Sequence, residues 1–148
     1  MDGVTTFWFV LLLAATWCAS GCWMLQVVCY PTYKIVAAAE FVPFHKKFGN
    51  LLVPVFVVPA FLTGVGLIVS AFFRPPFVSA WVGYADAALG AMILGTTLTI
   101  ELPKHIKLDK DGKDDALLAG LITNNVPRVV GWTAVVILLA HAMVWRTH

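Results

Sequence analysis

Two carboxylate–imidazole pairs sit at the margins of apolar stretches: Glu40 with His45, and Glu101 with His105. Carboxylates and imidazoles are the groups that exchange protons near neutral pH, and they also bind iron and zinc. Glu40 or His45 is therefore a candidate general base, with Glu101 and His105 in reserve, and the four together are a candidate metal set. The spacings, Glu-x4-His and Glu-x3-His, depart from the Glu-x-x-His of di-iron carboxylate bundles. Pro103 is also expected to break the helical register between Glu101 and His105. Haem fits poorly, because His45 and His105 fall at the membrane surface and His141 has no histidine at its own depth. The cofactor is open between none and a transition metal held by Glu and His. A third group, Asn125, Arg128 and Trp132, suits an anionic or phenolic head. The guanidinium offers donors in a rigid fork, Asn125 adds another donor, and the indole packs on a ring. The plain alternative for Arg128 is an ion pair with Glu101 that pins two helices.

These groups need elements to position them, and the elements are membrane spans. Four apolar stretches, roughly 5–29, 50–73, 79–100 and 127–144, each approach the ~20 residues that cross a bilayer. With a mean hydropathy of +0.86 and 12% charged residues, the chain reads as all-α: a four-helix transmembrane bundle, up-down-up-down, in one domain over residues 1–148. What lies outside the spans leaves no room for a soluble domain. The net charge of +2 implies no nucleic acid partner. Lys34, Lys46, Lys47, Lys104, Lys107, Lys110, Lys113 and Arg128 lie in or beside the first and third gaps, against Arg74 and Arg146 on the other side. Eight positive charges against two place loops 30–49 and 101–126 in the cytoplasm and both termini outside, in an inner or plasma membrane. Ala19-Ser20-Gly21-Cys22 faintly resembles a lipoprotein cleavage site, but the first basic residue is Lys34, so an uncleaved first span is expected.

Within the spans, polar residues mark function by default because they are costly there. At ~100° per residue, three stripes emerge: Cys18, Cys22, Gln26 and Cys29 in the first span, Asp86, Gly90, Thr97 and Glu101 in the third, and Asn124, Arg128 and Trp132 in the fourth. All three are expected to face inward. The cysteines read as small helix contacts rather than a disulfide. By depth, one pocket should form at the cytoplasmic end, with Gln26, Tyr30, Thr97 and Trp132 binding substrate. Asp86 and His141, nearer the outer end, could form one buried pair. Segment 32–48 reads as an interfacial amphipathic stretch in which Phe41, Phe44 and Phe48 share a face, with Pro43 opening the helix that runs into span two. Pro54 and Pro59 bend that span, either beside a cavity or simply in packing. The run Asp109–Asp115 lacks the further ligands and closing Glu of a calcium loop, and instead offers a turn and a helix cap at Asp114 or Asp115.

Gln26-Val-Val-Cys-Tyr30-Pro31, Glu40-Phe41-x3-His45, Pro54 and Asn125-x2-Arg128-x3-Trp132 together resemble the four-span family of small integral membrane proteins that includes the anthrone oxygenase-like proteins. The resemblance covers the whole chain in layout. It implies a small integral membrane protein. For a few members it implies cofactor-independent oxygenation of polycyclic phenolic substrates, an oxidoreductase activity, with Glu40/His45 and Asn125/Arg128/Trp132 as the site. The microsomal glutathione-transferase-like family has a similar length and span count, but its charged second-span motif is missing between residues 50 and 73. The residues themselves leave two readings: an enzyme acting on a lipophilic small molecule that enters from the bilayer, or a non-catalytic subunit or carrier. A homo-oligomer and a place in a larger membrane complex are equally open.

Overall fold

Asp2 starts the first helix. Its Oδ1 accepts a hydrogen bond from the Thr5 N–H at 2.8 Å, satisfying one of the donors a helix N-terminus leaves unpaired; that bond also holds the Asp2 carboxyl below its ordinary range. From there a computed structural model describes residues 2–144 as four long helices: α1 (Gly3–Tyr33), α2 (Ala38–Ser70), α3 (Ala80–Asp111) and α4 (Asp115–Val144). Each is long and apolar enough to cross a membrane, and no strand occurs among the described residues. The helices form a ring of antiparallel neighbours, α1 against α2, α2 against α3, α3 against α4, and α4 back against α1. At ~1.5 Å per residue, 30 to 33 residues span roughly 45–50 Å, more than the ~30 Å hydrocarbon core. Their ends therefore project into the headgroups and beyond. Arg146 lies outside the described residues.

Three helices contain one π-helical segment: Leu25–Cys29 in α1, Val53–Val57 in α2 and Thr97–Glu101 in α3. Each ends two residues before a proline, Pro31, Pro59 and Pro103. Proline lacks an N–H and its ring presses on the carbonyl four residues back. Here the residue just before each proline bonds five back instead, Tyr30 N–H to Leu25, Val58 to Val53 and Leu102 to Thr97, which widens the turn and lets the helix continue. In α2 the carbonyl that Pro59 leaves without a partner is Val55 O. It accepts from Trp17 Nε1 on α1 at 3.0 Å, as lipid contact demands of any freed backbone group.

This accommodation corrects several expected boundaries. Span one does not stop at Tyr30-Pro31 but reaches Tyr33; Pro103 does not interrupt α3, which runs to Asp111; and α4 begins at Asp115, well before Pro127. The expected loop 101–126 shrinks to Gly112–Asp114. Gly112 supplies the turn with φ +91°, a backbone state that favours glycine. Asp114 Oδ1 accepts from the N–H groups of Ala116 and Leu117, so the expected cap is real, although it opens a 30-residue helix rather than a short one. α2 starts at Ala38, which leaves Pro43 inside it. The two lysine-rich turns are tied together by Lys113 Nζ, which donates to Lys34 O at 2.6 Å and Val36 O at 2.9 Å.

Most of each polar stripe turns inward. Cys18, Cys22, Cys29, Asp86, Gly90, Glu101, Arg128 and Trp132 are buried, and Gln26, Thr97 and Asn124 are half-buried; the three cysteines are free thiols. α2 and α3 approach closely at Gly90, where a Cβ would lie 2.9 Å from Gly64 O.

Candidate functional site

At the lysine-rich end, α2 and α3 bring two histidines into contact. His45 Nε2 lies 3.0 Å from His105 Nδ1, and His45 Nδ1 lies 2.7 Å from Asp109 Oδ1. His105 Nε2 in turn approaches Tyr30 Oη at 3.5 Å, the outer limit of a hydrogen bond. One assignment of protons satisfies the whole chain: Tyr30 O–H donates to His105 Nε2, His105 Nδ1–H to His45 Nε2, and His45 Nδ1–H to Asp109. The row runs from Asp109, whose side chain is 37% exposed, to the buried Tyr30.

Local sequence explains the placement. From the last residue of the π segment of α3 onward, Glu101, His105 and Asp109 recur every four residues and share one helix face. Leu108, fully buried, holds this part of α3 against the core. On α2, His45 is held by rings. Phe41 stacks on it with centroids 5.4 Å apart, and Tyr33 meets it edge-on at 5.3 Å. Tyr33 also packs edge-on against Phe41, Phe44 and Phe48. Phe41, Phe44 and Phe48 thus share a face that packs around Tyr33.

Glu40 is not brought to this cluster. It stands exposed in the first turn of α2, because five residues, about 140° around the helix, separate it from His45. The expected four-residue metal set of Glu40, His45, Glu101 and His105 is therefore not assembled, and among the described residues no group of three or more His, Cys, Asp or Glu is placed to hold a metal ion. Asn125 is buried but engaged, its Nδ2 donating to Gln26 Oε1 at 2.9 Å and its Oδ1 accepting from Cys22 Sγ at 3.5 Å. Gln26 Nε2 donates to Ile122 O. These amides clamp α1 to α4 and are not free for a ligand. Asp86 is buried and accepts no hydrogen bond among the described residues, so the expected Asp86–His141 pair does not form. His141 is exposed, about 200° around α4 from the buried Leu139.

Arg128 and Glu101 face each other with Nη1 and Oε2 3.9 Å apart, and Lys104 Nζ lies 3.7 Å from Glu101 Oε1. Both Glu101 oxygens, Arg128 Nε and Trp132 Nε1 are buried without a hydrogen-bond partner.

Two cavities adjoin these groups between α2 and α3. The larger, about 450 Å³, is lined by His45, His105, Asp109 and Tyr33 together with apolar Val53, Val57, Leu102 and Ile106. The smaller, about 100 Å³, holds Arg128, Trp132 and Thr97 among apolar side chains, and shares Val57 and Leu102 with the first. The Thr97 hydroxyl is already committed to Ile93 O. Val57, Leu102 and Ile106 are also exposed, so the crevice opens at an apolar part of the bundle surface. Both cavities border the π segment of α2, which answers the expectation for the doubly proline-bent span.

Asp109 and Tyr33 were not anticipated as site residues. The signal for Asp109 is the four-residue recurrence from Glu101, hidden while positions 101–126 read as a loop.

No protein-family model, curated protein or solved structure matches this chain.

Proposed function

We propose that the chain is a membrane-embedded site for a lipophilic small molecule, entered from the bilayer between α2 and α3, and that it removes a proton from that molecule. The observation that carries the reading is the Asp109–His45–His105 row along one wall of a 450 Å³ cavity whose remaining lining is mainly apolar, with Lys46 and Asn50 beside it. Both ring nitrogens of His45 are engaged, whereas His105 Nε2 has only the long contact to Tyr30, so His105 is the proton acceptor. A proton arriving at Nε2 lets the Nδ1 proton pass to His45 and the His45 Nδ1 proton pass to Asp109, at the exposed edge. An oxygenase-like reaction of the kind the family resemblance implies begins with this step. The carbanion so formed adds dioxygen and takes up a proton to give a hydroperoxide; loss of the second hydrogen from that carbon with cleavage of the O–O bond then leaves a carbonyl on carbon and releases water.

The second reading, a non-catalytic subunit or carrier, draws on the Asn125–Gln26 pair, where polar groups serve packing alone. Gentle detergent extraction followed by mass spectrometry separates the two. The enzyme reading expects an isolated small oligomer carrying one organic molecule per chain; firm co-purification with a larger complex and no small molecule favours the subunit.

The lysine distribution supports a cytoplasmic position for this end of the bundle. With the native thiols buried, Lys110→Cys should resist a membrane-impermeant maleimide applied to intact cells. Rapid labelling from outside would reverse the topology.

A further inference from the structure

Arg128 and Trp132 are 5% and 0% exposed, and each holds an N–H, Nε and Nε1, with no acceptor. Buried donors are almost always paired, so two orphans on one cavity call for an occupant. Both residues line the 100 Å³ cavity, whose other walls are almost wholly apolar, Phe56, Phe61, Ile93 and Leu98 among them. Trp132 lies one helical turn beyond Arg128 on α4, so the two side chains share a face. The nearby charges are the Arg128 and Lys104 cations and the Glu101 carboxylate, which leaves the locality net positive even with Glu101 ionised. A neutral hydrocarbon would leave both donors unpaired. A polar molecule without an apolar body would gain nothing from the walls.

We infer that the Arg128–Trp132 cavity is a binding subsite for a single negatively charged oxygen on an apolar body. Arg128 Nε donates one hydrogen bond to that oxygen and Trp132 Nε1 a second. The apolar body extends past Val57 and Leu102 into the larger cavity or out to lipid. Charge-assisted donors of this kind hold an anion most strongly where water is excluded. Glu101 orients the guanidinium through Nη1, leaving Nε turned to the guest.

The inference uses the proposed crevice as its entrance but does not depend on the histidine row, so the two are tested apart. In lipid nanodiscs, with indole nitrogens labelled, the Trp132 N–H signal is assigned by its loss in Trp132→Phe. Decanoate is expected to move that signal downfield in a saturable way, and decane to leave it in place. Arg128→Lys, which keeps the charge but loses Nε, should weaken decanoate binding by about tenfold or more. Glu40→Gln, at an exposed residue that lines neither cavity, should leave it unchanged. If decanoate and decane act alike, or neither moves the signal, water alone satisfies the two donors and the subsite is refuted. That comparison needs only the wild-type chain, so it stands even where Arg128→Lys fails to fold.

Discussion

His105→Gln is expected to slow proton removal from the bound molecule by about 10²–10⁴-fold, the usual worth of a positioned general base. The fold and the ligand should both be retained. Glutamine keeps a hydrogen-bonding group beside His45 but cannot take up a proton at the position of Nε2. His45→Gln should act in the same direction, because it cuts the path from His105 to Asp109. Glu40→Gln should change nothing, since Glu40 is exposed and outside the cluster. The measurement is deuterium wash-out from the molecule that co-purifies with the chain, followed in wild type and in each variant. Equal rates in wild type and His105→Gln would end the acid–base reading, and a large loss in Glu40→Gln would move the site.

The second large effect is on stability. Arg128→Met should cost about 3–5 kcal/mol, because it strands the Glu101 carboxylate in the bundle interior with only Lys104, 3.7 Å away, to offset it. Replacing both partners, Arg128→Met with Glu101→Leu, should restore most of that loss, since apolar groups of similar volume often substitute for a buried ion pair at little cost. Reversible unfolding in mixed micelles reads both values. The double variant is the informative one. Were it as unstable as Arg128→Met alone, the loss would come from Arg128 packing against the cavity wall and not from its charge.

Much of this architecture is legible in the residue order because lipid simplifies the rules. Apolar length marks the spans, and the cost of polar groups in hydrocarbon forces Cys18, Cys22, Glu101 and Arg128 to the same interior. What resists reading is phase. Hydropathy falls after Ile100, and Pro103 with the Asp/Lys run from Asp109 onward looks like the end of a helix. The helix continues because a π turn over Thr97–Glu101 absorbs the proline, an event with no pattern in hydropathy. Losing that helix hides the Glu101/His105/Asp109 face and with it the carboxylate that orients His45. Glu40 fails for the converse reason. Closeness to His45 in sequence suggests partnership, but the helix begins at Ala38 and sets the two on different faces. Asn125 and Gln26 mislead in a third way. Each is a fair ligand candidate alone, and only three-dimensional packing reveals that they satisfy each other.

A lipophilic molecule seated in the α2–α3 crevice should be displaced by a side chain that fills it. Val57 borders both cavities and is 42% exposed, so Val57→Trp can fill the crevice without overpacking the core. The decisive measurement is the molar ratio of bound organic molecule to chain, by mass spectrometry after gentle extraction of wild type and Val57→Trp. The ratio should be near one in wild type and near zero in Val57→Trp, both chains being folded. A wild-type chain that elutes empty, or a Val57→Trp chain that keeps its guest, would contradict a molecule seated there.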